Sequence, residues 1–187
     1  MNNVECLNVR MESEALPAWN FILQKGFYLR ALSGMTVRQF LVEVLGYESR
    51  FIDETVRTIF LNSSPVDDID TVHVKDGDRV ALGGAMPGIV GIVMGRDNPY
   101  KEFRSDIACS GNDADLSPEN SIRIFTKIFS TIVTKTGVDV LARGIEISCG
   151  ELASLLEKNK AHLINGDGLE ELVANPDQDV RVVVEFV

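Results

Sequence analysis

Short runs of alternating apolar and polar residues open the chain. Residues 4–11 are β-prone and roughly follow this period of two, which predicts a first β-strand, and residues 27–32 are predicted to form a second strand. Gln24, Lys25 and Gly26 provide a turn signal before the second run. The pattern therefore predicts that the two strands form a hairpin.

A helical repeat follows the second strand. Thr36 and Gln39 have the spacing of a capping box, in which each side chain bonds a free backbone amide of the other residue. Apolar residues then recur every three to four positions up to Leu45, and Gly46 stands where a left-handed residue commonly ends a helix. We therefore expect one amphipathic helix over residues 36–45.

Strand and turn signals alternate beyond this helix. Apolar runs at 58–61 and 79–82 are separated by a polar turn at 62–65, a short apolar segment at 69–74 and the Asp76–Gly77 step. Glycine adopts positive φ without a Cβ penalty, and aspartate can bond its own backbone in a turn. These signals predict two strands that meet at Gly77.

This order of elements resembles the β-grasp (ubiquitin-like) sulfur carriers, which include the small subunit of molybdopterin synthase and the sulfur carrier of the thiamine pathway. The resemblance covers residues 27–88, and the matching pieces are Gly34-Met35-Thr36-Val37, Phe60-Leu61-Asn62, Lys75-Asp76-Gly77-Asp78-Arg79-Val80 and Met86-Pro87-Gly88. It implies an α+β fold in which one helix crosses a mixed sheet.

The resemblance also implies a role for Gly83 and Gly84. In this family an adenylating enzyme activates the carboxylate of a C-terminal Gly-Gly pair, which is then converted to a thiocarboxylate. Here the chain continues to Val187, so this role would require cleavage after Gly84. The alternative is that glycines let an apolar segment bend or pack closely against another backbone, namely Gly83, Gly84, Gly88, Gly91 and Gly95.

Residues 80–94 form the longest apolar run, interrupted by glycines and a proline and well short of the ~20 residues of a membrane span. We therefore expect no contact with a membrane. Exposed apolar segments and sheet edges need a partner or a cover. We expect this segment to dock another protein or a second copy of the chain through Met86, Pro87, Ile89, Val90 and Val93.

The second half of the chain is predicted to form a smaller α+β unit. Ser117 and Pro118 are a helix start, the apolar residues of 122–135 gather on one helical face, and Gly137 is interpreted as its end. A strand is expected at 138–147.

A second capped helix is expected to follow. Ser148 and Glu151 have capping-box spacing, and the apolar face of the helix carries Leu152, Leu155 and Leu156. A final strand is predicted at 180–187.

These elements predict a β-grasp-like domain at 1–95, a connector at 96–116 and a second unit at 117–187. The order strand, capped helix, short strand, loop and strand recurs in the second unit. We therefore interpret it as a degenerate β-grasp repeat.

Charge and cysteine content exclude several classes of function. The chain has 18 Lys and Arg against 28 Asp and Glu, a net charge of −10, whereas nucleic-acid binding requires clustered cations. Its three cysteines are far apart and form no C-x-x-C pair, which argues against a disulfide framework and a zinc site. We expect no metal and no cofactor. The first residues lack the pattern of a secretory leader, so a cytoplasmic location is expected.

Cys149 is the candidate for a reactive side chain. It stands at the first position of a predicted helix, where the macrodipole and free amides favour a thiolate. The competing interpretation is a small apolar residue in the first turn, because neither His73 nor His162 is near it in sequence.

The main functional hypothesis is a non-enzymatic cytoplasmic interaction or accessory protein on a β-grasp scaffold. One alternative is a sulfur-carrier-like protein of molybdenum or tungsten cofactor or thiamine synthesis, activated after cleavage at Gly84. The other is a thiol-dependent enzyme that uses Cys149.

Overall fold

The structure, a computed structural model, describes residues 6–96, 98–109, 120–166 and 174–187. These residues form an α+β fold, as predicted. The chain divides into two compact units: the first contains Met1–Tyr28 and Lys135–Val187, and the second contains Leu29–Thr134. This division differs from the predicted one (1–95, 96–116 and 117–187), because the N-terminal segment belongs with the C-terminal segment.

The described residues form nine strands: β1 (Cys6–Met11), β2 (Phe27–Leu32), β3 (Thr58–Leu61), β4 (Ser64–Pro65), β5 (Arg79–Gly83), β6 (Ser121–Ile128), β7 (Ile145–Ser148), β8 (Leu163–Gly166) and β9 (Asp179–Phe186). They also form six α-helices: α1 (Leu16–Lys25), α2 (Val37–Gln39), α3 (Ser49–Thr55), α4 (Gly88–Met94), α5 (Ser130–Arg143) and α6 (Cys149–Lys158). A π-helical turn, Phe40–Val44, continues α2, and 3₁₀ turns form at Ser13–Ala15, Lys101–Arg104 and Lys160–His162.

The first unit pairs the two ends of the chain. Its strands follow the order β2-β7-β9-β1-β8. Strand β1 runs parallel to β9 from the Cys6–Arg181 pair to the Met11–Phe186 pair, and antiparallel to β8. Strand β7 is antiparallel to β9, and Tyr28 of β2 pairs with Glu146 of β7.

The predicted hairpin between residues 4–11 and 27–32 is wrong, because α1 separates these strands and β1 pairs elsewhere. Trp19, Ile22 and Leu23 are buried at a helical spacing. The indole N–H of Trp19 donates to the sulfur of Met11 at 3.1 Å, which ties α1 to β1.

The second unit contains a mixed sheet with the order β4-β3-β5-β6-β2. Strand β5 is antiparallel to β3 and parallel to β6. The predicted turn after β3 forms with Asn62 and Ser63 at φ of 52° and 73° and leads into β4. Gly77 has a φ of 77° in its predicted turn, but only one of its flanking segments, β5, is a strand.

The predicted capping box at the start of α2 is confirmed: the Thr36 hydroxyl accepts from the Gln39 amide, and the Gln39 side chain accepts from the Thr36 amide. The apolar face of the helix is buried, and Gly46 has a φ of 76° beyond its end. A further helix, α3, forms where only a connection was expected.

The helix predicted over residues 122–135 is wrong, because 121–128 form strand β6 and the helix begins only at Ser130. The isoleucines of β6 and Thr126 alternate as its buried face. The opposite face carries Phe125, whose ring lies 4.9 Å below the Arg79 guanidinium and 5.8 Å from the Lys127 ammonium. These cation–π contacts make an aromatic residue compatible with a polar strand face.

Gly137 does not end a helix but lies within α5. A Cβ at this position would meet Asn20 Oδ1 at 2.6 Å, so the missing side chain lets α5 approach α1. Residues 138–143 are helical where a strand was expected, and the strand is limited to Ile145–Ser148. The predicted start of a helix at Ser117 and Pro118 lies outside the described residues.

Helix α6 forms as predicted, with one half of the expected capping box. The Ser148 hydroxyl accepts from the Glu151 amide, while the Glu151 carboxylate pairs with Lys25, and the leucine face at 152, 155 and 156 is buried. None of the helices in the described part of the chain combines the length and the apolar character needed to cross a bilayer.

Candidate functional site

An exposed apolar groove lies on the second unit between α4 and the 3₁₀ turn Lys101–Arg104. Ile89, Ile92 and Val93 of α4 form one wall, and Tyr100 and Phe103 form the other. The two aromatic rings are tilted against each other with centroids 6.3 Å apart. The groove is open to solvent and has a volume of about 440 Å³.

The walls of this groove are unusually exposed for their residue types. Ile89 is 81% exposed and Phe103 is 84% exposed, while Ile92 and Tyr100 are about half exposed. Single exposed apolar side chains are common on proteins, but a contiguous group typically marks an interaction surface. The groove therefore has the surface chemistry of a docking site.

The buried Arg104 side chain supports the groove. Its side chain is only 2% exposed and forms a bidentate ion pair with Asp67, with nitrogen–oxygen distances of 2.7 and 3.0 Å. It also donates to the carbonyl oxygens of Val93 and Gly95 at the end of α4. A cation at this position satisfies carbonyls that the helix leaves unpaired and matches the helix dipole. One buried guanidinium thus links both walls of the groove.

Arg96 and Asn98 extend this support. The buried Arg96 side chain donates to the carbonyls of Ile52 and Val56 at the end of α3, at distances of 2.8 to 3.2 Å. The Asn98 amide donates to the carbonyls of Val93 and Gly95. Residues predicted to belong to a connector therefore bond to the body of the second unit.

Helix α4 packs directly on the backbone that precedes it. A Cβ on Gly91 would lie 2.2 Å from the Met86 carbonyl oxygen, so only glycine fits there. Gly88, the first residue of α4, has a φ of 80°. These glycines therefore fold the apolar segment back on itself, as the close-packing interpretation of the sequence predicted.

No protein-family model, curated protein or solved structure matches the chain.

The structure brings together some of the predicted docking residues and adds others. Ile89 and Val93 line the groove, whereas Met86 and Pro87 are exposed in the segment before α4, and the side chain of Val90 is not among those described. Met86 borders a separate depression of about 190 Å³. Sequence reasoning missed Ile92, Tyr100 and Phe103. The signal for the aromatic pair was its presence in an otherwise polar stretch.

The Gly83–Gly84 pair is built into the second unit. Gly83 is the last residue of β5, and Gly84 is buried. The Thr58 hydroxyl donates to the Gly84 carbonyl at 3.1 Å, and a Cβ on Gly84 would lie 2.9 Å from the Thr131 hydroxyl oxygen. The five residues after Gly84, residues 85–89, are all exposed.

Cys149 lies at the first position of α6, as predicted, but is only 6% exposed. The carbonyl of Gln178 accepts from its amide at 2.7 Å, and the carbonyl of Pro176 accepts from the Gly150 amide at 2.9 Å. The first amides of α6 are therefore bonded to protein oxygens rather than open to an anion.

Next to Cys149, a cleft of about 580 Å³ separates α1 from α6 in the first unit. Ile22 and Leu155 form its floor, and Phe21 stands at its rim with 64% exposure. Lys25 Nζ lies 2.6 Å from Glu151 Oε1 across it. The cleft is bordered by Ser148 and Gly150 but not by Cys149 itself.

Neither His73 nor His162 is among the residues that line the groove or the cleft. The backbone of His73 forms an isolated antiparallel β-bridge with that of Thr36 in the second unit. His162 Nδ1 lies 3.0 Å from Glu12 Oε2, and the ligating atoms of Glu12, Glu14 and His162 lie within 4.8 Å of one another. This group is largely exposed, and the contact between the His162 imidazole and the Glu12 carboxylate accounts for the approach of those two side chains.

Proposed function

We propose that the chain is a non-enzymatic binding protein and that another protein docks in the groove between α4 and the Lys101–Arg104 turn. The observation that carries this proposal is the contiguous exposure of Ile89, Ile92, Tyr100 and Phe103 above a buried polar framework. Arg104 and Asp67 lock the walls in place, so little conformational entropy would be lost on binding.

A heterologous partner is favoured over a second copy of the chain. Each copy carries a formal charge of −10, so two copies repel each other, most strongly at low ionic strength. A different protein avoids this cost.

Photo-crosslinking at position 92 tests the proposal. A photoreactive amino acid replaces Ile92 in the groove or Phe21 at the rim of the cleft, in cells that make the full chain. We expect one discrete adduct at 92 and none at 21, and the purified adduct partner should bind the wild-type chain but not Phe103→Glu. Equal adducts at both positions, or a partner that binds Phe103→Glu normally, would contradict the proposal.

We further infer that both units are variants of the β-grasp arrangement. In the second unit β2 and β3, joined through α2, flank the parallel pair β5 and β6. In the first unit β7 and β8, joined through α6, flank the parallel pair β1 and β9. The strand expected before β2 in a hairpin is replaced by β6, which follows β5 in the sequence. A crystal structure without β6 between β5 and β2 would refute this inference.

The sulfur-carrier alternative has one supporting observation, the exposure of Ala85, Met86, Pro87, Gly88 and Ile89 beyond the glycine pair, which a protease could reach. Against it stands the burial of Gly84 beneath Thr58 and Thr131. Intact mass measured from the native host distinguishes the two. A species ending at Gly84, or that mass shifted by the exchange of oxygen for sulfur, supports a carrier, whereas full-length chain alone refutes it.

The thiol-enzyme alternative predicts a reactive Cys149. The burial of this side chain leads us to expect that iodoacetamide labels the exposed Cys6 first and Cys149 only after unfolding. Cys109 should label slowly, because burial, together with the charge of Asp78, raises the pKa of its thiol and lowers the thiolate fraction at pH 8. Peptide mass mapping after timed labelling measures all three rates. Preferential labelling of Cys149 in the folded chain would instead support the enzyme.

A further inference from the structure

We propose that the occupant of the groove is an amphipathic helix of the partner, with apolar anchors on one face and basic residues around them. This inference rests on the proposed function and specifies the partner. It follows from the shape of the groove walls and from the charges beside them.

Both walls of the groove present side chains at helical spacing. Ile89, Ile92 and Val93 stand at i, i+3 and i+4 on α4, and Tyr100 and Phe103 stand at i and i+3. The apolar anchors of a ligand helix, at i, i+3 or i+4, and i+7, recur about every 5.4 Å along its axis. They therefore interdigitate with the rows of side chains on the two walls.

An extended peptide fits this surface less well. Peptides that bind as an added strand gain affinity from main-chain hydrogen bonds to a sheet edge. In the part of the chain that the structure describes, the residues lining the groove are helical or precede a helical turn, and none belongs to a strand.

The arginines near the groove bond to protein oxygens, whereas the exposed charged side chains described beside it are acidic. Arg96 and Arg104 are buried and donate to carbonyls, Arg104 is neutralised by Asp67, and the half-buried Arg57 donates to the Arg96 carbonyl. Glu102 and Asp106 are the exposed charged side chains described between residues 98 and 109, while that of Lys101 is not among those described. With a chain charge of −10 behind them, these carboxylates favour a ligand with Lys or Arg around its anchors.

The experiment is a selection from a displayed library of peptides held as helices on a rigid scaffold, with all outward positions randomised. The bait is the full-length chain, and Phe103→Glu is the counter-selection bait. Ile89→Asp is a second counter-selection variant, because Ile89 is equally exposed and its replacement leaves the buried framework intact. We expect enriched peptides with apolar residues at i, i+3 or i+4, and i+7 and a positive charge elsewhere.

A synthetic peptide with the consensus sequence then measures how much its positive charges contribute to the binding affinity. Replacing its Lys and Arg by Glu should weaken binding at least about tenfold at low salt, and the difference should shrink as salt screens the charges.

The possible failures are distinguishable. Enriched helices that discriminate against Phe103→Glu but carry neutral or acidic flanks would overturn the basic-helix inference and leave the proposed function intact. Peptides that bind wild type and both variants equally would overturn the proposed function as well. Sedimentation showing a dimer that Phe103→Glu abolishes would assign the groove to a second copy and overturn both the basic helix and the heterologous partner.

Discussion

The groove of the second unit and the cleft of the first unit are both depressions between helical segments, but they differ in which groups face outward. In the groove, apolar side chains face solvent and the charged Arg104 lies beneath them, bonded to Asp67 and to backbone carbonyls. In the cleft, Ile22 and Leu155 form a buried floor, and the Lys25–Glu151 ion pair lies at the surface.

This difference indicates that volume alone does not identify a binding surface. The cleft is the larger depression, yet Ile22 and Leu155, the large aliphatic side chains of its floor, are already buried within the first unit. The groove is smaller but leaves large isoleucine and aromatic surfaces in water, and burying such surfaces is the main driving force of association. The predictions below test this contrast.

The largest effect is expected when the support of the groove is removed. Arg104→Met should destabilise the chain by about 3 kcal/mol, because it breaks a buried ion pair with Asp67 and removes the guanidinium that donates to the Val93 and Gly95 carbonyls, leaving Asn98 as their side-chain donor. Denaturant unfolding measures this change.

Asp67→Asn and the double variant provide the matched control. Because the two side chains contact each other, their effects should not be additive. The losses of unfolding free energy in the two single variants should add up to about 1 kcal/mol or more above the loss in the double variant. Additive effects, or a loss below about 1 kcal/mol for Arg104→Met, would show that the guanidinium does not support the groove.

An intermediate effect is expected when the groove surface is changed. Phe103→Glu should weaken partner binding by about 2 kcal/mol, as expected for a central aromatic anchor. It should change the unfolding free energy by less than about 0.5 kcal/mol, because Phe103 is 84% exposed. Phe21→Glu, at the rim of the cleft, is the matched control and should change neither quantity. Titration calorimetry and denaturant unfolding measure the two. Equal losses of binding in both variants would remove the contrast.

The smallest effect is expected at the rim of the cleft. Lys25→Met should cost no more than about 1 kcal/mol, because the Lys25–Glu151 pair is surface-exposed on the lysine side and screened by water. The loss should decrease further at high salt. A loss well above this value that persists at high salt would show that the cleft depends on this pair more than the exposed geometry indicates.

Local signals predicted much of the fold. Thr36 with Gln39 and Ser148 with the Glu151 amide start helices where the sequence indicated, because capping depends on side chains three residues apart. The long-range pairings could not be predicted in this way. The partner of β1 is β9, at the other end of the chain, and no local pattern encodes that pairing.

The error at β6 has a local cause. The apolar residues of this segment are compatible with one face of a helix, namely Ile122, Ile124, Phe125 and Ile128. They are equally compatible with a strand in which the three isoleucines share one face and Phe125 is the exception on the other. The exception, Phe125, is stabilised by Arg79 from a neighbouring strand, so the information that decides between helix and strand lies outside the segment. The β-branched content of the run was the better guide.

The candidate site was predictable only in part. The apolar run containing Ile89 and Val93 indicated a docking surface, but its second wall, Tyr100 and Phe103, lies in a stretch that composition assigned to a connector. The ion pair of Arg104 with Asp67 joins positions far apart in sequence, so periodicity could not have revealed it.

Amide hydrogen exchange of the full-length chain, with and without the cross-linked partner in purified form, tests the central claim most directly. The groove account predicts slower exchange in residues 88–94 and 98–104 on binding, with residues 16–25 and 149–158 unchanged. Protection confined to residues 16–25 and 149–158, with no change at 88–94, would place the partner in the cleft and contradict the account.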